Sequence, residues 1–420
     1  MKILLKNARI LKMDGSDIFF GDILINGKFI EEISQSIDSN NADKVIDCEG
    51  NLLMPGFKNA HAHTAMVFAR SIADDLPLHD WLFDVIFPME EKFQENDIYN
   101  LTKLGILEYI KCGITAAFDM YFSPKEIIKA CREIGFRDVI LATSTSESVE
   151  EIENNYLSYN KKDDLISYQI GIHAEYTTPI KRIEEISKLV NKLHARAYLH
   201  IGETKSEVQG CIDRYGVRPI VLLNNLGFFN YGGGGFHCNY FSDEEISICK
   251  EKNINIISCP ASNLKLASGI APLVKYQKSN LNIALGTDGA ASNNSLDMFK
   301  EMYLASTLQK VVNDDASAMD AKDVLKMATV NAAHAIGLDN ADILEKGKFA
   351  DIIMIDLNNP SMQPINNIEK NIVYSGSKDI IKMTMINGKI LYYNHCYCND
   401  IDVKSIYKTC QEITNRLKGK

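Results

Sequence analysis

Eight short runs of strand-forming residues recur between residues 51 and 289, most followed by an amphipathic helical stretch. The runs are NLLMPGFKNAH, ITAAFDM, RDVILATS, LISYQIGIH, RAYLHIGE, GGGFHCN, INIISCPA and NIALGTDG; DIYNLTKLGILEYIKCG and PIKRIEEISKLVNKLHA are typical of the helical segments. A helix between two strands returns the chain to the same end of the sheet, so the next strand runs parallel to the last. Eight such units over roughly 290 residues predict an α/β fold, a (β/α)8 TIM-type barrel, whose usual size is about 250 residues plus insertions. The competing architecture is an open doubly wound sheet, and no GxGxxG follows the first strand to support it. The glycine run Gly232–Gly235 is not followed by Lys-Ser/Thr, so it is no phosphate loop.

The two ends of the chain read differently. Residues 1–50 break into short strands with Asn26-Gly27 as a hairpin turn, and KGKFADIIMIDL and KMTMINGKILYYN repeat the style with Asn387-Gly388. The similarity predicts one small β domain completed by both ends. The expected division is 1–54 as the first part of a β-sandwich, 55–344 as the barrel, and 345–420 as the second part with a C-terminal helix.

Charge and cysteine usage narrow the function class. The net charge is −10, and an acidic surface repels phosphate backbones and anionic lipid, which argues against nucleic acid and membrane as partners. No run approaches the length of a membrane span. The opening MKILLKNARILKMDG is interrupted by Lys6, Asn7 and Arg9, unlike a signal segment. Most of the ten cysteines, Cys48, Cys112, Cys131, Cys211 and Cys259 among them, sit in apolar runs as small hydrophobes. Reduced thiols and a cytoplasmic location are expected. His395-Cys396-Tyr397-Cys398 resembles a metal clip, but four residues on one strand cannot close a tetrahedron, and a structural role is expected.

In such a barrel the reactive groups lie at the carboxyl ends of the strands. His61 and His63 end the first candidate strand, two residues apart and so able to face one centre. His200 ends the fifth, with Glu203 three residues on; His237 ends the sixth and Asp288 the eighth. Each alone has a plain reading, since paired histidines can cap a strand and Asp288 can cap a turn with Gly289. Together, four of the nine histidines and one aspartate fall at the upper ends of strands one, five, six and eight. Three histidines and a carboxylate suit a borderline metal such as Zn²⁺, with room for a water.

At this point the chain resembles the amidohydrolase superfamily, and within it the 5-methylthioadenosine/S-adenosylhomocysteine deaminases. The matching segments are MPGFKNAHAHTAM at 54–66, SIADDLPLHDWL at 71–82, IFPMEEKF at 86–93, HIGET at 200–204 and GTDGAASNNSLDMF at 286–299. The resemblance implies a split β-sandwich around a barrel and a mononuclear site, with His61, His63, His200 and Asp288 as metal ligands. Two-metal barrels of this type carry a modified lysine at strand four, where this chain has His173 in GIHAEYTTP. One divalent ion per chain is therefore expected, Zn²⁺ first and Fe²⁺ as the alternative. Glu90, His173 and Glu203 match positions that contact a purine nucleoside, and His237 matches the histidine beside the metal-bound water.

What the resemblance implies chemically is hydrolytic deamination at C6 of an adenine nucleoside (5′-methylthioadenosine, adenosine or S-adenosylhomocysteine) to the inosine-type product and ammonia. The metal lowers the pKa of its water from about 15.7 toward 7, and the resulting metal-bound hydroxide attacks C6. Asp288 is the expected base and Glu203 the acid at ring N1. His237 hydrogen-bonds the attacking oxygen. Glu90 can accept two hydrogen bonds from a ribose diol, and Trp81, the only tryptophan, can wall the pocket. The alternative is a deaminase or chlorohydrolase of the same superfamily acting on guanine, a pterin or a triazine. The expected partner is a small purine nucleoside, with a homo-oligomer left open. One departure stands out: the family's arginine near the end of strand three is missing from Asp138–Ser148, which favours a neutral 5′-substituent. Arg70, Arg132, Arg137 and Lys205 are the candidates for a compensating cation.

Overall fold

The computed structural model describes residues 1–143, 147–160, 165–398 and 401–419. Eight strands follow one another in sequence order around one sheet: β1 (Phe57–Ala62), β2 (Ile114–Met120), β3 (Arg137–Leu141), β4 (Ile166–Ala174), β5 (Ala197–Ile201), β6 (Gly233–His237), β7 (Ile254–Ser258) and β8 (Ile283–Leu285). Each pairs in parallel with the next. The ends of the sheet meet where Thr287 N donates to Asn59 Oδ1 at 2.8 Å and Asp288 N donates to His61 O. Gly286 permits that approach, because a Cβ there would lie 2.7 Å from the backbone nitrogen of His61. Inside the barrel Phe118, Leu141, Tyr198, Phe236 and Ile257 pack together, while helices cover the outer face. Strands buried on both faces need continuous apolar runs rather than alternation, as in β2, where every residue is buried.

A second sheet holds strands from both ends of the chain, with Leu52–Pro55 pairing antiparallel to Ile352–Ile355 at the junction. The run read as one first strand, NLLMPGFKNAH, is therefore two: Leu52–Pro55 serves this sheet and β1 the barrel. Gly56 separates them where a side chain would overlap Thr115, its Cβ falling 2.0 Å from Cγ2. The two Asn-Gly turns touch. Asn387 and Gly388 both have positive φ, as a type I′ hairpin requires, and a Cβ on Gly388 would lie 2.0 Å from Gly27 O.

The lower end of the barrel is fastened to this sheet by charge. Arg137 of β3 donates from Nε to Asp351 Oδ2 at 2.6 Å and from Nη2 to Asp351 Oδ1 at 3.1 Å, both residues being buried. Asn387 N adds a bond to Oδ1 at 2.8 Å. Nearby, fully buried Lys58 donates to Gly56 O and Thr115 Oγ1, and burial pulls its pKa down to about 8. No helix among the described residues is long and apolar enough to cross a membrane.

Candidate metal centre and its cavity

At the upper end of the barrel the Nε2 atoms of three histidines converge. His200 Nε2 lies 3.1 Å from His61 Nε2 and 3.3 Å from His63 Nε2. Asp288 Oδ1 closes the group at 3.2 Å from His63 Nε2 and 3.6 Å from His61 Nε2. The opposite ring nitrogens fix which atom carries the lone pair. His63 Nδ1 donates to Met120 O at 2.5 Å and His200 Nδ1 to His173 O at 2.7 Å, leaving each Nε2 free to ligate. His61 has no such partner for Nδ1 among the described residues; its ring is held instead by stacking on Phe236, centroids 3.9 Å apart.

Lone pairs aimed at one point repel each other unless a cation lies among them. Burial pushes His61 and His200 well below the usual imidazole range, so both stay neutral donors. Burial also acts to lower His63, but the hydrogen bond and charge of Asp288 outweigh it and the net shift is upward. Burial opposes ionisation of Asp288, yet its bond to His63 and the charges around it hold its carboxyl well below the ordinary range. Asp288 is pinned by Ser262 Oγ at 2.5 Å and Ser292 Oγ at 2.9 Å, both donating to Oδ2, and by Gly289 N donating to Oδ1. Three imidazoles that turn Nε2 to one point beside a carboxylate fit a divalent borderline metal such as Zn²⁺.

The centre opens into a cavity of about 410 Å³. His63, His173, His200, Glu203, His237, Asp288, Glu90 and Trp81 all line it, so the sequence-derived site residues come together, with His61 buried just behind them. Glu203 is buried; Ser268 Oγ donates to its Oε1 at 3.2 Å, and its Oε2 lies 3.8 Å from His237 Nε2. Burial raises its pKa. Glu90 accepts from Tyr121 Oη at 2.5 Å, and burial raises its pKa to about 7. His173 Nδ1 meets Thr177 Oγ1 at 2.8 Å, and burial lowers its pKa to about 4.

Other wall residues escaped sequence reading. The stretch from Leu78 to Phe87, partly a π-helix over Trp81–Ile86, supplies Leu78, Leu82, Phe83, Ile86 and Phe87. The apolar spacing of Leu78, Leu82 and Ile86 was the available signal. Tyr121 and Phe122 follow directly on β2, where the strand-end rule could have found them. Glu207, in helix Lys205–Tyr215, accepts from Gly202 N and Glu203 N at 2.8 Å each and shapes the loop that carries Glu203. Among the described residues the wall holds no lysine or arginine. Arg70 is paired with Glu108, Arg137 sits at the opposite end, Lys205 lies over Tyr240, and Arg132 is off the wall. Ser144–Ser146, within the stretch that lacks an arginine, lie outside the described residues.

The sequence matches the model of the amidohydrolase family over residues 52–391. This chain belongs to the amidohydrolase family. Relatives within it include a 5-methylthioadenosine/S-adenosylhomocysteine deaminase of Caldicellulosiruptor saccharolyticus, 38% identical over 426 residues, covering 100% of this chain and 99% of the relative. One of the same name from Thermococcus sibiricus is 39% identical over 400 residues, covering 93% and 94%. Among solved structures, an adenosine deaminase of Xanthomonas campestris with bound zinc superimposes with a TM-score of 0.92 at 29% identity, covering 100% and 99% of the two chains. This amidohydrolase thus shares barrel and appended sheet with a zinc-binding structure along its whole length.

Proposed function

We propose that this amidohydrolase deaminates an adenine nucleoside at C6, giving the inosine-type product and ammonia. The observation that carries this reading is the sharing of one cavity by the convergent donor set and two carboxyls of raised pKa, Glu203 and Glu90. The names borne by full-length relatives point the same way.

A divalent ion held by His61, His63, His200 and Asp288, zinc by the character of the donors, supplies Lewis acidity and a water nucleophile at neutral pH. Burial disfavours the charged form of Glu203 and raises its carboxyl toward the protonated state, which suits it to deliver a proton to ring N1. Asp288 stays ionised, with Oδ2 held by two serine hydroxyls and Oδ1 by Gly289 N, and it is the base that takes a proton from the attacking water. His237 lines the same cavity, its Nε2 3.8 Å from Glu203 Oε2. Glu90, held by Tyr121, accepts the ribose diol. The apolar wall from Leu78 to Phe87, with Trp81, excludes water from the ring and the 5′-group.

The cavity lining as a whole has acidic groups, Glu90, Glu203 and Asp288, and no facing cation among the described residues, so 5′-methylthioadenosine and adenosine are better substrates than S-adenosylhomocysteine, whose carboxylate lacks a charged donor. A missing charge-assisted hydrogen bond costs about 1.5–3 kcal/mol, roughly ten- to hundredfold in selectivity. Metal analysis and an ammonia-release screen over these three nucleosides and guanine test both statements. The expected result is about one divalent ion per chain, with kcat/KM falling on the S-adenosyl substrate. Turnover of guanine alone overturns the nucleoside reading. A tenfold preference for S-adenosylhomocysteine overturns the neutral-tail reading.

A further inference from the structure

His237 ends β6 with a backbone that side chains rarely adopt: φ is +69° there and +53° at Cys238. Two consecutive left-handed residues, neither of them glycine, are strained and persist only if their surroundings fix them. Those surroundings form a chain of buried side-chain amides. His237 Nδ1 lies 2.7 Å from Asn263 Oδ1; Asn263 Nδ2 donates to Asn239 Oδ1 at 2.9 Å; Asn239 Nδ2 donates to the backbone oxygen of Glu203 at 2.9 Å. All four residues are buried, so water does not compete for these groups.

This chain has one possible polarity. The Glu203 carbonyl can only accept, so Asn239 must present its NH₂ there and its oxygen to Asn263. Asn263 must then answer with its NH₂, which turns its own oxygen to His237. An oxygen at Nδ1 requires a proton on that nitrogen, and the neutral ring is left with a bare Nε2 facing the cavity. We propose that Asn239 and Asn263 are positioning residues forming a one-directional amide relay that sets the tautomer of His237. The relay makes His237 Nε2 meet the attacking oxygen as an acceptor, and it ties that choice to the backbone of the loop bearing Glu203. Helix Pro260–Lys265 serves both partners of the reaction, since Ser262 holds Asp288 and the adjacent Asn263 holds His237.

The functional side of this proposal rests on the deaminase reading; the tautomer does not. In the zinc-loaded, ¹⁵N-histidine-labelled protein, long-range ¹H–¹⁵N spectra, assigned by comparison with His237→Gln, should show His237 protonated at Nδ1. Asn263→Leu should lose that signature and lower kcat about 10–100-fold, the usual cost of removing a partner that orients a site group, with KM little changed. Asn263→Asp, which restores an oxygen at Nδ1, should recover most of the loss. An Nε2–H tautomer in the parent overturns the relay, as does an Asn263→Leu protein with the parent's spectrum and kcat. If the parent releases ammonia from no nucleoside, the deaminase reading fails and the spectra still decide the relay.

Discussion

At the end of the barrel that faces the terminal sheet, two buried cations have their donors satisfied. Arg137 presents its fork to Asp351, and Lys58 spends its donors on Gly56 O and Thr115 Oγ1. At the opposite end the same scaffold buries three imidazoles whose lone pairs converge, beside carboxyls that burial keeps from ionising readily. A satisfied network locks two sheets together. Convergent lone pairs with no cation between them are what a metal site needs. In barrels of this kind the upper face carries chemistry and the lower face stability, and here the division follows where ligating nitrogens converge on one point and where cations are paired.

The sharpest way to break that comparison is to remove the cation from the upper end. Chelation, or His200→Ala, should lower deaminase activity by at least about 10³-fold, since Lewis-acid assistance is worth several kcal/mol. Urea unfolding should then shift only by the metal's binding linkage; complete unfolding would mean that the metal end also holds the fold together. Next in size is Glu203→Gln, which keeps the shape and loses the transferable proton. About 10²–10⁴-fold in kcat is expected, with metal content unchanged, and turnover within a few-fold of the parent would remove Glu203 as the acid.

The lower end should fail in the opposite manner. Asp351→Ala strands a buried guanidinium, which typically costs about 3–5 kcal/mol of stability, while kcat/KM of the folded fraction should stay near the parent's. The sign with pH follows from the folded pKa. Burial alone would raise Asp351, but the charge and hydrogen bonds of Arg137 win and depress it. Its contribution is therefore present above the ordinary carboxylate range and lost as pH falls through the depressed folded value. Urea midpoints for parent and variant should converge in acid, and a constant gap would show that Asp351 stabilises by something other than its charge.

The two ends were not equally legible in the sequence. His61, His63, His200, His237 and Asp288 could be found because a strand's end is a position that local pattern predicts, and they come together here at one place. Arg137 and Asp351 are 214 residues apart, and neither period nor motif links them. Asn239 and Asn263 carry no motif or periodic signal, since their meaning depends on the direction of hydrogen bonds across two βα connections. The first strand was read too long because Leu52–Pro55 and Phe57–Ala62 are both continuously buried. Hydropathy does not reveal that Gly56 turns the chain from one sheet to the next.

The smallest expected effect concerns Glu90, and it separates the two carboxyls of the upper end from each other. Glu203 must keep its proton to act as an acid, whereas Glu90 must lose its proton to accept both ribose hydroxyls. Burial raises both pKa values; at Glu203 the opposing groups are His237, Ser268 and His63, and at Glu90 they are Tyr121, donating to its Oε1, and His63, which leave Glu90 at about 7. As pH falls below about 7, Glu90 binds a proton, one acceptor site becomes a donor, and nucleoside affinity weakens. A hydrogen bond to a charged group is worth about 1.5–3 kcal/mol, so KM for adenosine should rise about tenfold between pH 8 and pH 6, with kcat changing much less. Glu90→Gln cannot titrate, so its KM should be high and flat over that range. Loss of the Glu203 proton works with the opposite sign, lowering kcat as pH rises. A parent KM that is flat from pH 6 to pH 8, or a Glu90→Gln variant that keeps the parent's slope, would place the titrating group elsewhere in the cavity and remove Glu90 from ribose recognition.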